Sequence, residues 1–372
     1  MRYAKVVLDL PVEGPFDYIV PDNLLSKART GSRVKVGFRT MTMTGYVVGL
    51  AGKSEVKNLK PLLTVIDESP VLNAHMLALT RKLSQYYCCS WGQAIATSLP
   101  EGLRKGKPLP EPDAGPEAPA PERNPGPDPD SNRDSVLIHD HDGLGRWETY
   151  VKEIERSLRN NRSSLLILPD TRSFATAKEI LGSRINAPYA VLTRKQPGEL
   201  KEWSRIRSGK VRIVIGTRSA VFAPLDNLGL LIIDEEQDTV YKQEQVPHYH
   251  CREIAFMRAE TEKAKLILGS TTPSLESIYL ARKGKLKYTP VPRKREFPEI
   301  KVIDMETFLS FSSRKNIILS RFLEDSISRA IAEKAKTLLF LNRTGFATLA
   351  HCLSCGNDSL SQFHSQRRPW FR

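Results

Sequence analysis

Three consecutive carboxylates, Asp234, Glu235 and Glu236, follow an apolar stretch that has the composition of a buried strand. At the carboxyl end of such a strand, Asp234 could hold Mg²⁺ through water and Glu235 could orient the attacking water in nucleotide hydrolysis. A buried strand that runs into an acidic helix start gives the same pattern. The residues alone leave both interpretations open, and they make Asp234 and Glu235 the candidate catalytic residues.

A candidate phosphate-binding loop lies upstream of these carboxylates, where the chain reads DHDGLGRW after an apolar strand pattern. In the form GxxxxGK[ST], such a loop cradles phosphates with backbone amides, its lysine meets the β- and γ-phosphates, and its hydroxyl binds Mg²⁺. Asp140 stands at the first glycine, Arg146 at the lysine and Trp147 at the hydroxyl residue. Arginine keeps the charge on a bulkier planar group, and tryptophan cannot ligate magnesium. We therefore expect Gly143, Gly145 and Arg146 to keep the fold of a nucleotide-binding loop without productive ATP hydrolysis.

Aromatic and cationic side chains alternate just after the carboxylates, a combination that suits stacking on bases and contact with phosphates. The candidate DNA-binding residues of this stretch are Tyr241, Lys242, Tyr249, His250 and Arg252. An ordinary polar helix produces the same alternation. Thr217 and Arg218 follow another apolar strand pattern, where amides and hydroxyls could hold a DNA phosphate, although a simple turn has the same composition.

The composition favours a polyanionic partner such as nucleic acid. The chain has 372 residues, a formal net charge of +14 and an isoelectric point near 9.5. Basic proteins also bind ribosomes or acidic membranes, so the charge alone does not choose between partners. No apolar run approaches the roughly 18 residues of a membrane span, and the first residues lack the apolar core of a signal peptide. We expect a cytoplasmic protein with no membrane partner, and reduced thiols at its five cysteines.

A proline-rich segment divides the chain. Residues 105–133 contain nine prolines among Gly, Asp, Glu and Ala, which predicts a semi-extended linker. Before it, period-2 apolar patterns predict a small β-rich, barrel-like domain over residues 1–104, followed by a helix, MLALTRKLSQYYCC. After it, short apolar strands alternate with helical patterns over residues 134–347. The predicted strands are SVLIHD, SSLLILP, YAVLT, VRIVIGT, LGLLIID, KLILGS and TLLFLN. An apolar stripe predicts the helix after the candidate phosphate loop, formed by Trp147, Tyr150, Val151, Ile154 and Leu158. The alternation of strands and helices predicts an α/β lobe with a parallel sheet, of the RecA-like P-loop NTPase type.

Several motifs resemble those of the PriA family, primosomal protein N′, a superfamily 2 DNA helicase of replication restart. They are GTRSAVFAP, DEEQD, YKQE and HYHCRE within 216–253, then LGSTTPSLES at 268–277 and LFLNRTGFA at 339–347. The motifs follow the family's order and approximate spacing. The resemblance implies descent from an ATP-dependent 3′-to-5′ helicase that uses ATP, Mg²⁺ and Zn²⁺. It also implies forked or single-stranded DNA, together with primosome and replisome proteins, as partners.

The first hundred or so residues resemble the family's 3′-end DNA-binding domain. In that family an aromatic, an acidic and a basic residue form a pocket for the terminal nucleotide, and the matching positions here are Phe16, Asp17 and Lys60. Such a trio suits stacking on a base, hydrogen bonding to base or sugar, and neutralisation of phosphate. The alternative is that Phe16 is a core residue and Asp17 a turn cap. The sequence GFR at 37–39 departs from the family's proline, aromatic and glycine, so we expect an altered pocket floor.

Two further motifs are carried over from the resemblance. Ser270, Thr271 and Thr272 match the motif that couples the two motor lobes, and a helix cap at Thr272 is compatible with that role. Cys352 and Cys355 match the first half of the family's paired zinc sites. A tetrahedral zinc needs four ligands, and residues 348–372 contain no second CxxC, so we expect an incomplete zinc-binding segment and tail. The winged-helix insertion and the second motor lobe have no counterpart, as in a truncated, frameshifted or reduced homologue.

The sequence thus leads to a PriA-like protein of replication restart that binds forked DNA and 3′ ends, with three hypotheses about its chemistry. An active motor would need Arg146 to replace the lysine and another chain to supply the second lobe. A non-catalytic DNA-binding scaffold would recognise forks and recruit primosome partners without hydrolysis, and the altered phosphate loop favours it. A non-functional gene fragment is the third hypothesis.

Overall fold

The computed structural model describes residues 2–111, 135–194, 196–293, 296, 298–304, 319–340, 349–351 and 358–360. The chain forms two compact units, Met1–Glu296 and Phe297–Arg372. The first unit contains an antiparallel and a parallel sheet, with the helices that cover them. Among the helices in these ranges, none is long and apolar enough to cross a lipid bilayer.

The N-terminal sheet is antiparallel and curls toward closure. Its strands are β1 (Arg2–Leu8), β2 (Phe16–Val20), β3 (Arg33–Phe38), β4 (Met41–Ala51) and β5 (Leu62–Val65). They lie in the order β2-β1-β4-β3-β5. The edge strands meet where the amide of Ile19 donates to the carbonyl of Lys60 at 3.0 Å, beside a bridge between Ile19 and Pro61. Alternate residues such as Val6 and Val34 line a buried interior, which confirms the predicted β-rich, barrel-like fold.

Helix α1 (Ala74–Tyr86) follows this sheet. It begins where the side chain of Asn73 accepts a hydrogen bond from the amide of Met76 at 2.8 Å, a standard N-cap. The predicted helix extended through Cys88 and Cys89, but Cys88 has φ +50°. A helix cannot continue through that left-handed conformation, so α1 ends earlier than predicted.

Helices α2 (Trp91–Ser98) and α3 (Glu101–Arg104) come next, and α2 begins with a capping box. Gly92 lies directly against β1, because a Cβ at this position would stand 1.7 Å from the carbonyl oxygen of Leu8. Only glycine permits this approach of helix to strand. Helices α1 and α2 also share one apolar core with the parallel-sheet region, so the two regions of the first unit pack together.

The second sheet is parallel, as predicted. Its strands are β6 (Val136–His139), β7 (Ser163–Ile167), β8 (Tyr189–Leu192), β9 (Ile213–Gly216), β10 (Leu228–Asp234), β11 (Lys265–Ser270) and β12 (Lys287–Pro290). They lie in the order β12-β6-β11-β10-β7-β9-β8. Strand β10 is buried along its whole length between β11 and β7. Its carboxyl end therefore opens at the middle of the edge where ligands of open α/β sheets bind.

Helices cover both faces of the parallel sheet. They are α4 (Arg146–Arg159), α5 (Ser173–Arg184), α6 (Glu199–Arg207), α7 (Cys251–Glu262) and α8 (Leu275–Arg282). Helix α4 buries the predicted stripe, including Tyr150 and Ile154, against one face. Trp203 of α6 and Ile254 of α7 pack in the core of the other face. This layering confirms the predicted RecA-like α/β lobe, and it places the start of α4 directly after β6.

One predicted strand of the lobe is not formed. TLLFLN begins at residue 337, but residues 337–340 have no regular structure, and Leu338 and Phe340 are 91% and 84% exposed. Residues 341 and 342 lie outside the described ranges. A strand needs a neighbour to satisfy its backbone, and residues 337–340 belong to none of the described sheets. The prediction of a strand was therefore wrong for residues 337–340, the part that the structure describes. Strand β12, which pairs with β6, was not predicted from the sequence.

The described part of the second unit consists of helix α9 (Arg321–Ala332) and a hairpin of β13 (Leu349–His351) with β14 (Asp358–Leu360). Ser320 caps α9 by accepting from the amide of Leu323 at 3.2 Å.

The beginning of the predicted linker is packed against the first unit. The buried side chain of Arg33 forms an ion pair with Asp67 at 2.5 Å and donates to the carbonyl of Lys107 at 2.8 Å. The carbonyl of Pro110 accepts from the Ser204 hydroxyl at 2.6 Å. These bonds hold the described start of the linker, up to residue 111, in place, while residues 112–133 lie outside the described ranges.

Candidate nucleotide and DNA site

Arg146 contacts the carboxylates that a nucleotide site would use. Strand β10 ends at Asp234 and α4 begins at Arg146, so the two side chains meet at the carboxyl edge of the parallel sheet. Arg146 Nε donates to Asp234 Oδ1 at 2.6 Å, and Nη2 donates to Asp234 Oδ2 at 3.3 Å. Nη2 also donates to Glu235 Oε1 at 2.6 Å. The Arg146 side chain is 3% exposed. Both predicted catalytic residues are therefore bound by one buried guanidinium.

Asp140 occupies the backbone amides of the candidate phosphate loop. Its Oδ2 accepts from the amide of Arg146 at 2.8 Å, and its Oδ1 accepts from the amide of Asp142 at 3.2 Å. Gly143 has φ +84°, and its amide donates to the carbonyl of Asp140 at 3.2 Å, which closes a tight turn. The loop therefore holds a carboxylate of its own chain where a phosphate-binding loop holds an anion.

Tyr150 and Trp147 complete the buried cluster. The Tyr150 hydroxyl donates to Asp234 Oδ1 at 2.9 Å. Burial raises the pKa of Asp234, and the Arg146 guanidinium and the Tyr150 hydroxyl oppose that rise. Burial and the charge of Asp234 raise the pKa of Tyr150 well above its ordinary value, so the hydroxyl remains a donor. Trp147, at the position of the magnesium-binding hydroxyl, is 5% exposed and packs edge-on against Tyr150.

Glu235 also accepts hydrogen bonds from several neighbouring protein groups. Its Oε2 accepts from Gln237 Nε2 at 2.8 Å, and from the hydroxyl and amide of Thr271 at 3.0 and 3.2 Å. Burial would raise the pKa of Glu235, but the hydrogen bond from Gln237 and the charge of Arg146 outweigh burial and lower it. With Arg146 on its other oxygen, both oxygens of Glu235 are bonded to protein groups.

Glu236 was not among the predicted site residues, yet it connects three elements. It is fully buried, and its Oε2 accepts from Arg252 Nη1 at 2.8 Å and from the Ser277 hydroxyl at 2.9 Å. Its Oε1 accepts from the amide of Ser274 at 2.7 Å. The end of β10 is thereby joined to the starts of α7 and α8. The sequence signal was its place in the carboxylate run, which does not distinguish a structural carboxylate from a catalytic one.

The predicted coupling residues lie at the end of β11 and in the segment that leads to α8. The Ser270 hydroxyl donates to Gln237 Oε1 at 2.5 Å and accepts from the amide of Thr272 at 2.9 Å. Thr271 contacts the site through the bonds described above. Ser274, rather than Thr272, is the N-cap of α8, so the predicted cap was wrong by two residues. The coupling role itself stays a prediction.

The residues at this site do not fit a magnesium nucleotide. The amide of Arg146 already donates to Asp140, Asp234 is bound to a guanidinium, and the hydroxyl position is filled by Trp147 within the core. One guanidinium nitrogen, Arg146 Nη1, is buried without a hydrogen bond and lies 3.9 Å from Asp140 Oδ2. ATP and Mg²⁺ are implied by the resemblance alone, and the donor set of this loop argues against them.

The predicted zinc ligands Cys352 and Cys355 lie outside the described residues. Among the side chains that the structure does describe, no group of three or more His, Cys, Asp or Glu residues could hold a metal ion. The incomplete zinc segment therefore stays a prediction.

Two predicted DNA-binding aromatics are core residues. Tyr241 is fully buried, and its hydroxyl donates to the carbonyls of Asp234 at 2.5 Å and Ile167 at 3.4 Å. Tyr249 is 2% exposed and packs edge-on against Phe222, and burial raises its pKa to about 12. A base needs an exposed ring face on which to stack. Burial therefore corrects this part of the prediction, because the Tyr241 hydroxyl is bonded to strand carbonyls and the Tyr249 ring packs against Phe222.

The cationic residues of the same segment differ in exposure. Lys242 is exposed, its Nζ donates to the carbonyl of His248 at 2.5 Å, and it lies 5.6 Å from the centroid of the Tyr87 ring. Arg252 is 6% exposed and binds a buried carboxylate. His250 caps α7, with Nδ1 accepting from the amide of Arg252 at 3.2 Å. Burial and the neighbouring cations lower the pKa of His250 to about 4. Of these three side chains, Lys242 keeps a charge that faces solvent.

Thr217 and Arg218 line a cleft of about 530 Å³ at the carboxyl ends of β7 and β9. Arg218 Nη1 donates to the carbonyls of Val240 at 2.7 Å and Lys242 at 2.5 Å. This guanidinium therefore holds in place residues 241–252, called the aromatic segment below. The charged residues of the lining are Arg104, Arg194, Arg218, Glu101, Asp170, Glu199 and Glu244. Because cations and carboxylates are mixed, the charge of the cleft does not by itself select a nucleic-acid strand.

Phe16 and Lys60 both lie beside the turn between β3 and β4. The half-buried ring of Phe16 is 5.2 Å from that of Phe38, and the exposed Lys60 Nζ donates to the carbonyl of Arg39 at 2.9 Å. The guanidinium of Arg39 lies 6.0 Å from the Phe38 ring centroid. The structure thus gathers aromatic rings and two cations at the predicted end-binding position. Arg39, which the sequence marked as a departure from the family, supplies the second cation.

Asp17 has a different partner from the other two pocket residues. Its Oδ2 accepts from the Ser54 hydroxyl at 2.5 Å, in the loop between β4 and β5. Phe16 and Asp17 are neighbours on β2, and successive side chains of a strand point to opposite faces. The structure therefore joins Asp17 to that loop rather than to the Phe38–Arg39 turn.

The sequence of this chain matches known proteins over both regions. Residues 5–100 match the family described as the 3′ DNA-binding domain (3′BD) of PriA. The chain is 32% identical to the replication restart protein PriA of Rickettsia typhi, over 98% of this chain and 57% of that relative. It is 34% identical to the replication restart protein PriA of Bacillus subtilis, over 68% of this chain and 32% of that relative.

The chain belongs to the PriA family. It spans little more than half the length of the first relative, and about a third of the second. The PriA match runs through the lobe as well as the N-terminal sheet. This match spans nearly the whole chain, and the interpretation of Asp140, Arg146 and Trp147 as substitutions in a phosphate-binding loop stays a prediction.

Solved structures resemble this chain only weakly. RecG bound to a three-way DNA junction is 22% identical, with a TM-score of 0.32, over 43% of this chain and 21% of that chain. The Hef helicase domain of Pyrococcus furiosus is 17% identical, with a TM-score of 0.33, over 43% and 35%. Likenesses of this size carry no functional argument, so membership of the PriA family rests on the sequence matches.

Proposed function

We propose that this PriA-family chain binds forked DNA and DNA 3′ ends in replication restart. The match of residues 5–100 to the 3′ DNA-binding domain carries the proposal. The formal net charge of +14 supports a polyanionic partner. Because the proposed substrate is chromosomal DNA, the proposal includes a cytoplasmic location. It also includes primosome and replisome proteins as partners.

The surface beside the β3–β4 turn supports a site for a strand end. Phe16 offers a half-buried aromatic ring at the rim of the N-terminal core, while Lys60 and Arg39 place two cations within reach of the same turn. A terminal base would stack on the ring and its phosphate would lie by the cations, an arrangement worth about 1–3 kcal/mol for the stacked base. Asp17 faces the loop that holds Ser54, on the other face of β2, so its contact with a base or sugar stays a prediction.

Of the hypotheses about chemistry, a DNA-binding scaffold without hydrolysis has the better support. In a motor, Asp234 would be available to water-bound magnesium, whereas here it has a guanidinium 2.6 Å away. The proposal therefore assigns this chain fork recognition and recruitment of other proteins rather than strand separation.

The test is a binding titration with two labelled forks of identical sequence. In one fork the nascent strand ends in a free 3′ hydroxyl at the branch, and in the other the same end carries a 3′ phosphate. We expect tighter binding to the free end. In Phe16→Ala that preference should be lost, because the affinity for the free-end fork should fall by about 5- to 100-fold.

Lys57→Ala is the matched control for Lys60→Ala. Both lysines are exposed, and both lie between β4 and β5. Each substitution removes one charge and should weaken non-specific binding about equally, because that term depends on phosphate neutralisation. Only Lys60→Ala should also reduce the preference for the free end. Equal effects of the two substitutions, or no end preference in the unmodified chain, would contradict the proposal.

A further inference from the structure

In the altered phosphate loop, Asp140 supplies a negative charge and Arg146 a positive charge. They lie where a bound phosphate and a metal ion would otherwise supply them. The Asp140 carboxylate accepts from two loop amides, at 2.8 and 3.2 Å. The Arg146 guanidinium touches Asp234 and Glu235, each at 2.6 Å. In a working site the amides would meet a phosphate, and the carboxylates would meet hydrated Mg²⁺ or a water.

We propose that Asp140 and Arg146 permanently take the places of the phosphate and the metal ion, so that the lobe keeps its folded site without a nucleotide. The inference concerns the lobe and does not rest on DNA binding by the N-terminal sheet.

Both side chains are buried, which supports their permanent occupation of the ligand positions rather than a loosely closed site. The side chains of Asp140 and Arg146 are 1% and 3% exposed. An entering phosphate would have to expel the Asp140 carboxylate into the core or rebuild the loop, since the same amides cannot serve both anions. It would also remove the Asp140 carboxylate from beside Arg146 Nη1, which lies 3.9 Å away and is buried without a hydrogen bond.

The neighbouring residues fit the closed arrangement. Tyr150 donates to Asp234 at 2.9 Å, which adds a partner that a metal ion would compete with. A Cβ on Gly145 would lie 2.8 Å from Val291 Cγ1, so that side of the loop is already packed. Trp147 is part of the apolar core under α4. The residues at these positions are thus compatible with one another in a closed site that holds no ligand.

The closed site also holds segments that would respond to nucleotide in a motor. The carbonyl of Asp234 accepts from the Tyr241 hydroxyl at 2.5 Å, and Glu236 holds Arg252 at 2.8 Å. The aromatic segment is therefore tied to β10 by bonds that need no ligand. If the inference is right, ATP with Mg²⁺ leaves the DNA affinity of the full chain unchanged.

The experiment measures binding of Mg·ATP, and separately of inorganic phosphate, to the full chain by calorimetry and by thermal unfolding. We expect the unmodified chain to bind Mg·ATP more weakly than about 1 mM, with no change in Tm. Asp140→Gly combined with Arg146→Lys reopens the amides and restores a compact ammonium. This variant should start with a lower Tm and recover by several degrees when Mg·ATP or phosphate is added.

Asp142→Gly combined with Arg156→Lys is the matched control, because it changes the same residue types in the loop and on α4 but leaves the two substitutes in place. It should show no ligand-dependent rise in Tm. If Asp140→Gly does not fold, Asp140→Ala replaces it, since alanine also removes the side-chain acceptor and frees the two loop amides.

Sub-millimolar binding of Mg·ATP or phosphate by the unmodified chain would overturn the inference. So would a folded double variant that binds no better than the control. The predicted pattern, ligand rescue in the double variant alone, would establish that Asp140 and Arg146 occupy the ligand positions.

Discussion

Arg146 Nε lies 2.6 Å from Asp234 Oδ1, and Nη2 of the same guanidinium lies 3.3 Å from Asp234 Oδ2. This two-point contact depends on the planar fork of arginine, because a lysine ammonium offers a point charge on a flexible stem. Nη2 is also 2.6 Å from Glu235. The position that resembles a catalytic lysine therefore serves as a structural tie between α4 and β10.

Replacing Asp234 tests that structural role. Asp234→Ala leaves the Arg146 charge buried with one carboxylate fewer, and we expect the free energy of unfolding to fall by about 3 kcal/mol. Urea denaturation measures the change. In a motor that needs Asp234 only for magnesium, the same substitution would abolish turnover and leave stability nearly unchanged.

Glu244→Ala serves as the control for that measurement, because Glu244 is an exposed carboxylate in the segment after β10. Its effect should lie within about 0.5 kcal/mol. A loss below about 1 kcal/mol for Asp234→Ala would show that the ion pair contributes little and that Arg146 is free to leave it.

Tyr241 should matter through its hydroxyl and not through a DNA contact. Tyr241→Phe keeps the buried ring and removes the hydrogen bond to the Asp234 carbonyl, so we expect a destabilisation of about 1–2 kcal/mol. Fluorescence anisotropy with forked DNA should give the same affinity for the variant and the unmodified chain. A large loss of affinity with unchanged stability would restore Tyr241 as a DNA-binding residue.

From the lowered pKa of His250 we predict that the free energy of unfolding depends on pH. The pKa of His250 is lowered to about 4 by burial and by Arg252 and Lys242, with Glu236 and Glu276 opposing the shift. The unfolded chain therefore takes up the proton first as pH falls, so the contribution of His250 is fully present above about pH 6.5 and is lost toward pH 4. Protonation of Nδ1 also removes the acceptor for the Arg252 amide.

The expected loss between pH 7 and pH 5 is about 1 kcal/mol, after allowance for the partial exposure of the ring. Urea denaturation of the unmodified chain and of His250→Asn at both pH values isolates it, because asparagine caps a helix without titrating. Equal pH dependence in the two proteins would mean that another group is responsible.

Lys242 and Arg252 should separate a DNA contact from a structural role. Lys242→Ala should reduce the slope of log affinity against log salt by about 1 and leave stability nearly unchanged, as for one lost phosphate contact. Arg252→Ala should instead destabilise by about 3–5 kcal/mol, since it leaves the fully buried Glu236 without its cation. Salt-dependent binding and urea denaturation on both variants decide the matter, and the opposite assignment would contradict this account.

The backbone of the fold could be predicted because its signals are local. Period-2 patterns predicted β1 to β4, apolar runs predicted six of the seven parallel strands, and the stripe through Tyr150 and Ile154 predicted α4. The strand assigned to TLLFLN failed because a short apolar run does not reveal whether a pairing edge is available. Strand β12, with the sequence KYTP, has too weak an apolar pattern to be recognised.

The site was predictable in its members but not in its partnerships. Asp140 and Arg146 were recognised as substitutions, yet their contacts with loop amides and with Asp234 depend on loops from separate strands meeting at one sheet edge. Alternation of aromatic and cationic residues could not show that Tyr241 and Tyr249 point into the core. Exposure is decided by tertiary packing, and a segment outside regular elements has no periodicity from which to read it.

The most direct test of the central claim is DNA-stimulated ATP hydrolysis by the purified chain, with forked DNA that carries a free 3′ end and Asp234→Ala measured beside it. The account predicts tight fork binding and no turnover above background in either protein. Turnover by the unmodified chain that Asp234→Ala abolishes would contradict it, because Arg146 would then have to release the carboxylate for catalysis.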